Sequence, residues 1–353
     1  MNIVSIDYFL PPRINSIDLL SALRIRASNY SLALSWSCLV PDESGVVDSV
    51  AVQRCFTDQF TLLGRSVLEQ FSDAEEAVEV CANLGFSGIY VSDRLSASDM
   101  ADICARKVLA RNTEQNNAGF SAIIYAHTTP EEHPNLTPSF LIQTTTKSDQ
   151  SLPFSVSGSD SASFISALQV AETVFAMNND ARPALMLTAD RFLPPIHTRI
   201  GDFTLFSDAA CAIVLDRTPV TDGYRVLGTQ INPLLAGQFD WAGAVDLATA
   251  ENTFSEIIAE TASTLLQAHS IAPNDIAVVV PQYVNPRLTR GVLNRLPGLP
   301  EPSSTDVPHG NFATSAIPIA LKHALSEGAT GALVLGWCMG LDGTVGASLF
   351  EIT

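Results

Sequence analysis

The chain has 353 residues, 46% of them hydrophobic, enough to bury a large core as one big α/β unit or two fused halves. Its 37 acidic and 19 basic residues give a formal charge of −18, which favours solubility and argues against nucleic acid, whose phosphates need a basic stripe. Cys38, Cys55, Cys81, Cys104, Cys211 and Cys338 show no CxxC spacing and read as reduced, mostly buried thiols of a cytoplasmic protein. The start, Met1 to Asp7, carries an early acid and lacks the basic segment of a signal peptide, and no apolar run reaches the ~18 residues of a membrane span. Metal-ligand spacings, phosphate loops and dinucleotide fingerprints are also missing.

Strand and helix signals alternate along the chain, the pattern of layered α/β architecture. Asn2 to Phe9 reads as a short strand stopped by Pro11-Pro12. Residues 97–111 place Met100, Ile103, Cys104, Val108 and Leu109 on one helical face, with Ser98 as the expected N-cap. Ala122 to Ala126 is a buried strand that leaves into a polar loop through His127, and a helix follows from Ser161 to Ala176. Strands are expected at 184–188 and 209–215. After Pro219 the pattern restarts, with helices at 251–269, 286–296 and 317–326 and strands at 275–281, 331–336 and 343–352. Residues 296–308, rich in Pro, Ser and Gly, read as a loop. The boundary falls between Asp216 and Tyr224, dividing the chain into closely packed halves, 1–217 and 218–353.

The segment from Ser159 to Leu168 carries the most chemical information. A strand, a polar loop and a helix opening on a small polar side chain are how many enzymes present a nucleophile at an electropositive helix terminus. The same Ser- and Asp-rich stretch also suits a helix N-cap.

Four segments, in order, resemble β-ketoacyl-acyl-carrier-protein synthase III and its relatives in the thiolase superfamily. The Ser161 helix is similar to the family's nucleophile segment. Residues 201–212, with Asp208-Ala209-Ala210, resemble its Phe-(Gly/Ser)-Asp-Gly-Ala entry to a strand. Pro281-Gln282-Tyr283-Val284-Asn285-Pro286-Arg287 resembles Pro-His-Gln-Ala-Asn-x-Arg, and Gly310-Asn311 through Leu321 resembles Gly-Asn-Thr-Ser-x-Ala-Ser-Ile-Pro-Leu-Ala-Leu. The Gly336 to Leu341 run is like the family's closing active-site loop. Together these matches cover about residues 95–353.

The resemblance implies a five-layered αβαβα thiolase fold with two pseudo-symmetric halves. Ser161, Gln282 and Asn311 then occupy the places of the family's Cys, His and Asn. A helix terminus can make a thiol a thiolate, but a serine hydroxyl is too weak an acid and needs a base. Gln282 cannot accept a proton, although it and Asn311 can donate N–H groups to an oxyanion. His309, in the loop before Asn311, is the preferred base, with His127 and His197 as further candidates. Gly340 and its neighbouring glycines allow tight turns, and the resemblance adds backbone N–H groups directed at the nucleophile.

The function expected from the resemblance is acyl transfer, of secondary metabolism, from a carrier-protein or coenzyme A thioester through Ser161 to an acceptor. One alternative is a non-catalytic ketosynthase-like subunit that pairs with an active homologue. Another is a decarboxylative condensing enzyme in which Ser161 replaces the family's Cys. No permanently bound cofactor is expected. The partners are an acyl carrier protein or coenzyme A and a second copy of the chain or a homologue; Arg287, Arg290 and Arg295 read either as the docking patch or as a solvated helix face, and Trp36 and Trp241 first as core or surface packing and second as a tunnel mouth.

Overall fold

Alternation along the strands sends successive side chains into different cores, and this builds the layers. The computed structural model describes residues 1–15, 74–111, 119–131, 137–193, 199–233, 246–302 and 310–353. The first half holds β1 (Asn2–Phe9), β2 (Arg13–Asn15), α1 (Ala74–Asn83), β3 (Gly88–Tyr90), α2 (Ala97–Arg111), β4 (Ala122–Ala126), α3 (Pro138–Thr145) and β5 (Leu152–Val156). It continues with α4 (Ser163–Met177), β6 (Ala184–Asp190), β7 (Arg199–Ile200), β8 (Thr204–Leu205) and β9 (Ala209–Asp216). The second half holds β10 (Tyr224–Pro233), α5 (Leu247–Ala268), β11 (Ile276–Pro281), α6 (Pro286–Arg295), α7 (Ala316–Glu327), β12 (Leu333–Met339) and β13 (Thr344–Ile352).

Nine strands join in the order β11-β12-β13-β10-β1-β9-β6-β4-β5. Each half supplies one contiguous block, and the blocks meet where Asn2 and Ile3 of β1 pair with Arg225 and Tyr224 of β10. The blocks repeat one design. In each, the first strand lies beside the last, followed by the third and then the second of the long strands, so β10, β13, β12 and β11 correspond to β1, β9, β6 and β4.

The alternating faces define five layers. Ala122, Ile124, Met186, Ile213 and Leu215 face a central core shared with α4 and α7, while Ile123, Tyr125, Leu185, Leu187 and Val214 pack against α2. Likewise Val334, Phe350 and Ile352 face the centre, and Leu335, Val345 and Leu349 pack under α5 and α6. Helix α4 buries Phe164, Ile165, Ala167, Leu168, Ala171 and Phe175, the wide apolar surface of a middle-layer helix. This is the five-layered arrangement of the thiolase fold.

Most predicted elements lie within a few residues of the observed ones, and the differences have local causes. The cap of α2 is Ser96, not Ser98. Ser96 Oγ accepts from the Asp99 N–H at 3.1 Å, and Asp99 Oδ2 accepts from the Ser96 N–H at 3.0 Å, a reciprocal capping box. Ser98 is buried in the first turn, its hydroxyl 3.0 Å from Ser96 Oγ. Helix α5 starts at Leu247, earlier than the expected 251, because Asp246 caps it by accepting from the Ala248 N–H at 3.2 Å. Strand β12 runs on through Gly336 to Met339, since a Cβ on Gly336 would lie 3.1 Å from Ser348 Oγ and 3.2 Å from Val280 Cγ2, where neighbouring strands approach.

Candidate active site

Three chain segments converge under the ends of the central strands. Asp160–Ala162 form one turn of 3₁₀ helix that opens directly into α4. Gln282 follows β11 and is held by its own N–H to the Trp337 carbonyl at 2.8 Å. Asn311 lies in an isolated bridge with Phe206, just before the 3₁₀ turn Ala313–Ser315 that opens into α7. The two 3₁₀ turns are counterparts in the two halves, and each carries a residue in the left-handed region, Asp160 at φ 46° and Ala313 at φ 44°.

The side chains form one connected network. Gln282 Nε2 donates to Ser161 Oγ at 3.0 Å and to Asn311 Oδ1 at 2.9 Å. Its Oε1 accepts from the Met339 N–H at 2.8 Å, which fixes the orientation of the amide. Asn311 Nδ2 donates to Thr204 Oγ1 at 3.0 Å, and Thr204 in turn donates to the Val284 carbonyl at 2.9 Å. Ser161, Gln282 and Asn311 are 2%, 3% and 1% exposed. Both Gln282 N–H groups are therefore engaged within the resting cluster.

Two carboxylates flank this network. Ser161 Oγ donates to Asp160 Oδ1 at 3.3 Å, while Asp160 Oδ2 accepts from the Leu341 N–H at 2.8 Å. Burial pushes the Asp160 carboxyl up to about 6, opposed by the Leu341 hydrogen bond and reinforced by Asp190 and Asp342. Asp190, fully buried at the end of β6, accepts from the N–H groups of Thr128 at 2.7 Å, Thr129 at 2.9 Å and Thr314 at 3.1 Å. It thereby ties the loop after β4 to the turn before α7. Burial raises its pKa, and those hydrogen bonds pull the other way.

The glycine-containing turn acts through these contacts. The N–H groups of Met339, Gly340 and Leu341 are taken by Gln282 Oε1, the Thr344 carbonyl and Asp160 Oδ2. The expected N–H donors thus hold Gln282 and Asp160 in place instead of standing open beside Ser161. Gly340 is needed for closeness: a Cβ there would lie 2.6 Å from Asp160 Cβ and 2.3 Å from Asp342 Oδ1.

The remaining candidates are distributed as follows. His309 and His197, like Trp36 and Trp241, lie outside the described residues. His127 packs on Tyr125 and its Nδ1 is 2.8 Å from the Thr129 carbonyl. Arg287, Arg290 and Arg295 are exposed on α6; Arg287 pairs with Glu251 at 2.8 Å, and Arg295 bonds the Gly291 carbonyl and the Asn252 side chain. Asn285 caps α6 through Leu288 N–H at 2.8 Å, so this member of the Pro281 to Arg287 motif sets the helix start. Cys81, Cys104, Cys211 and Cys338 are free and buried, and burial raises each thiol, to about 11 for Cys81 and about 12 for Cys104. None of these four is a ready thiolate. Sequence reasoning missed Asp160, Asp190 and Thr204; the acid directly before Ser161 was the available signal for the first.

Among the described residues, no helix is long and apolar enough to cross a membrane, and no group of three His, Cys, Asp or Glu side chains is placed to hold a metal ion.

The layered sheets, with their two 3₁₀-to-helix turns facing one cluster, define the thiolase fold class. Residues 266–352 match the family described as 3-oxoacyl-[acyl-carrier-protein] synthase III, C-terminal. The chain is 26% identical over 308 residues to the β-ketoacyl-[acyl-carrier-protein] synthase III of Aquifex aeolicus, spanning 82% of this chain and 96% of that protein. The crystal structure of the 3-oxoacyl-[acyl-carrier-protein] synthase III from Aquifex aeolicus superposes with a TM-score of 0.69 at 18% identity, over 99% of both chains. ChlB3, described as an acyltransferase, gives a TM-score of 0.69 at 17% identity, over 99% of this chain and 97% of that one. The chain is thus similar in sequence to synthase III proteins and shares their fold.

Proposed function

We propose that this protein is an acyltransferase that accepts an acyl group from a carrier-protein or coenzyme A thioester on Ser161 Oγ and passes it to an acceptor in secondary metabolism. One observation carries the reading: Ser161, Gln282 and Asn311, which the motif matches align with the family's Cys, His and Asn, are joined by hydrogen bonds of 3.0 and 2.9 Å at a buried helix start. The similarity to synthase III and to a protein described as an acyltransferase supports it. In this account a bound thioester carbonyl takes over the Gln282 N–H that now reaches Asn311. That amide then supports the oxyanion formed as Ser161 attacks. Acyl transfer is favoured over decarboxylative condensation because Gln282 offers hydrogen bonds but no proton-accepting nitrogen.

The exposed Arg287, Arg290 and Arg295 give an otherwise acidic chain a local basic surface for an acidic carrier or a phosphate-bearing pantetheine. In this reading a second copy seats at β5. Among the described residues β5 pairs only with β4, leaving its other edge open. Beside it runs an apolar groove lined by Leu152, Val170, Val174 and Met177, with Leu152 56% and Met177 84% exposed. Edge-to-edge pairing with β5 of a second copy covers both features.

A second reading, a non-catalytic subunit that pairs with an active homologue, draws on the closed state of the cluster, whose amide donors are already engaged. Intact-protein mass spectrometry after incubation with a panel of acyl thioesters separates the two. An acyl adduct that disappears in Ser161→Ala supports the enzyme. An absence of adduct from every donor supports the subunit.

A further inference from the structure

We propose that Asp160 is the general base that serves Ser161. The proposal rests on the reading of Ser161 as the nucleophile and names a proton acceptor for it among the described residues, in place of the His309 expected from the sequence. The Ser161 hydroxyl carries one hydrogen: it accepts from Gln282 Nε2 at 3.0 Å, so its own hydrogen is free to go to Asp160 Oδ1, 3.3 Å away. The contact is long for an O–H···O bond, as catalytic contacts often are before substrate binds.

The local chain is built around this carboxylate. Asp160 adopts φ 46°, a left-handed conformation that is costly for most side chains and tolerated best by Asn, Asp and Gly. Its second oxygen is anchored by the Leu341 N–H at 2.8 Å, and Gly340 leaves just enough room for its Cβ. The carboxylate so fixed has Oδ2 held by Leu341 and Oδ1 turned to the serine, with the Thr128 side chain also acting on it. Such strain at a reacting side chain is typical of functional positions.

The electrostatic setting suits the task. The groups facing Asp160 are Asp190 at the end of β6, Asp342 in the turn between β12 and β13, and the buried Cys338 thiol on β12. Burial raises the carboxyl to about 6, so it is ionised at neutral pH yet more basic than an ordinary aspartate. The steps balance as follows. Ser161 Oγ bonds to the thioester carbonyl carbon as its proton passes to Asp160. The C–S bond then breaks, and the departing pantetheine sulfur takes that proton and leaves as a thiol. In the second half, the acceptor's O–H or N–H proton goes to Asp160 as the acceptor attacks the seryl ester. The proton returns to Ser161 Oγ as the ester C–O bond breaks.

The test uses a fluorophosphonate probe, which reports serine nucleophilicity without requiring the thioester reaction. On the full chain, labelling should map to Ser161, vanish in Ser161→Ala, and rise with pH to a plateau with its midpoint near 6. Asp160→Asn keeps an acceptor for Leu341 and tolerates the backbone angle. It should retain near-native circular dichroism, label roughly 100-fold or more slowly at pH 8, and lose the pH dependence. Labelling of Asp160→Asn at the wild-type rate, a flat wild-type profile from pH 5 to 8, or no labelling of Ser161 would each overturn the proposal. If Asp160→Asn does not fold, Asp160→Ser and His309→Ala decide: slowed labelling in the first alone supports the proposal, and slowed, pH-independent labelling in His309→Ala overturns it. Thioester adducts with undiminished Asp160→Asn labelling would leave the acyltransferase reading standing without this base. Base-dependent labelling without any thioester adduct would do the reverse.

Discussion

Ser161 sits between a fixed donor and a buried carboxylate, and this arrangement has a cost to stability that can be measured. Asp160 is held at about 6, above the ~4 of a free aspartate, so between those values the folded chain keeps a proton that the unfolded chain releases. Stability must therefore fall as pH rises through that window, and above pH 6 the ionised carboxylate carries a penalty on the order of 3 kcal/mol. Asp160→Asn is expected to raise the melting temperature at pH 8 and to leave it nearly unchanged at pH 4, as followed by calorimetry. A second expectation concerns identity at two positions. Ser161→Cys combined with Gln282→His should form thioester adducts at least ~10-fold faster than Ser161→Cys alone, because a thiol at the helix start ionises more readily and the ring nitrogen adds a proton carrier. A folded double variant with no gain in intact-mass assays would mean these positions do not correspond to the family's Cys and His. Ser161, Gln282 and Asn311 could be picked out in the sequence because each stands in a recognisable string. Asp160 was signalled only by its place directly before Ser161, since its orientation depends on a left-handed backbone angle and on Leu341, 181 residues away.

At the level of elements, the site depends on two connections. Asn285 caps α6, and its Nδ2 also donates to the Phe203 carbonyl at 2.8 Å, joining the end of β11 to the segment that supplies Thr204. Asn285→Ala removes the cap and leaves that carbonyl unpaired, so urea unfolding should show a loss of about 2–3 kcal/mol. The turn between β12 and β13 is the second connection. Gly340→Ala would drive a methyl into Asp160 and Asp342, and Ser161 labelling should slow by about 10-fold or more while most of the fold persists. Boundaries were readable where apolar periodicity met Pro or Gly, as at Pro286 and after Phe9. The cap of α2 was legible too: Ser96 has an acid three residues on, Asp99, at the capping-box spacing, whereas Ser98 has Ala101 there, and the reciprocal bonds follow that spacing.

Over the whole molecule, the two blocks of strands enclose α4 and α7, and the paired 3₁₀ turns bring both halves to one cluster. The layered α/β class could be read from alternating strands and helices. The wrap of one nine-stranded sheet could not, because it depends on the β1–β10 pairing and not on any local pattern. If the open β5 edge seats a second copy, light scattering should give twice the 37.7 kDa chain mass, and Leu152→Lys with Met177→Lys should shift it toward the monomer. The most direct test of the account as a whole is intact-protein mass spectrometry of the wild type and Ser161→Ala with acyl thioesters. The account predicts a mass increase equal to the acyl group in the wild type alone. An identical adduct on both proteins, or none on either with any donor, would contradict it.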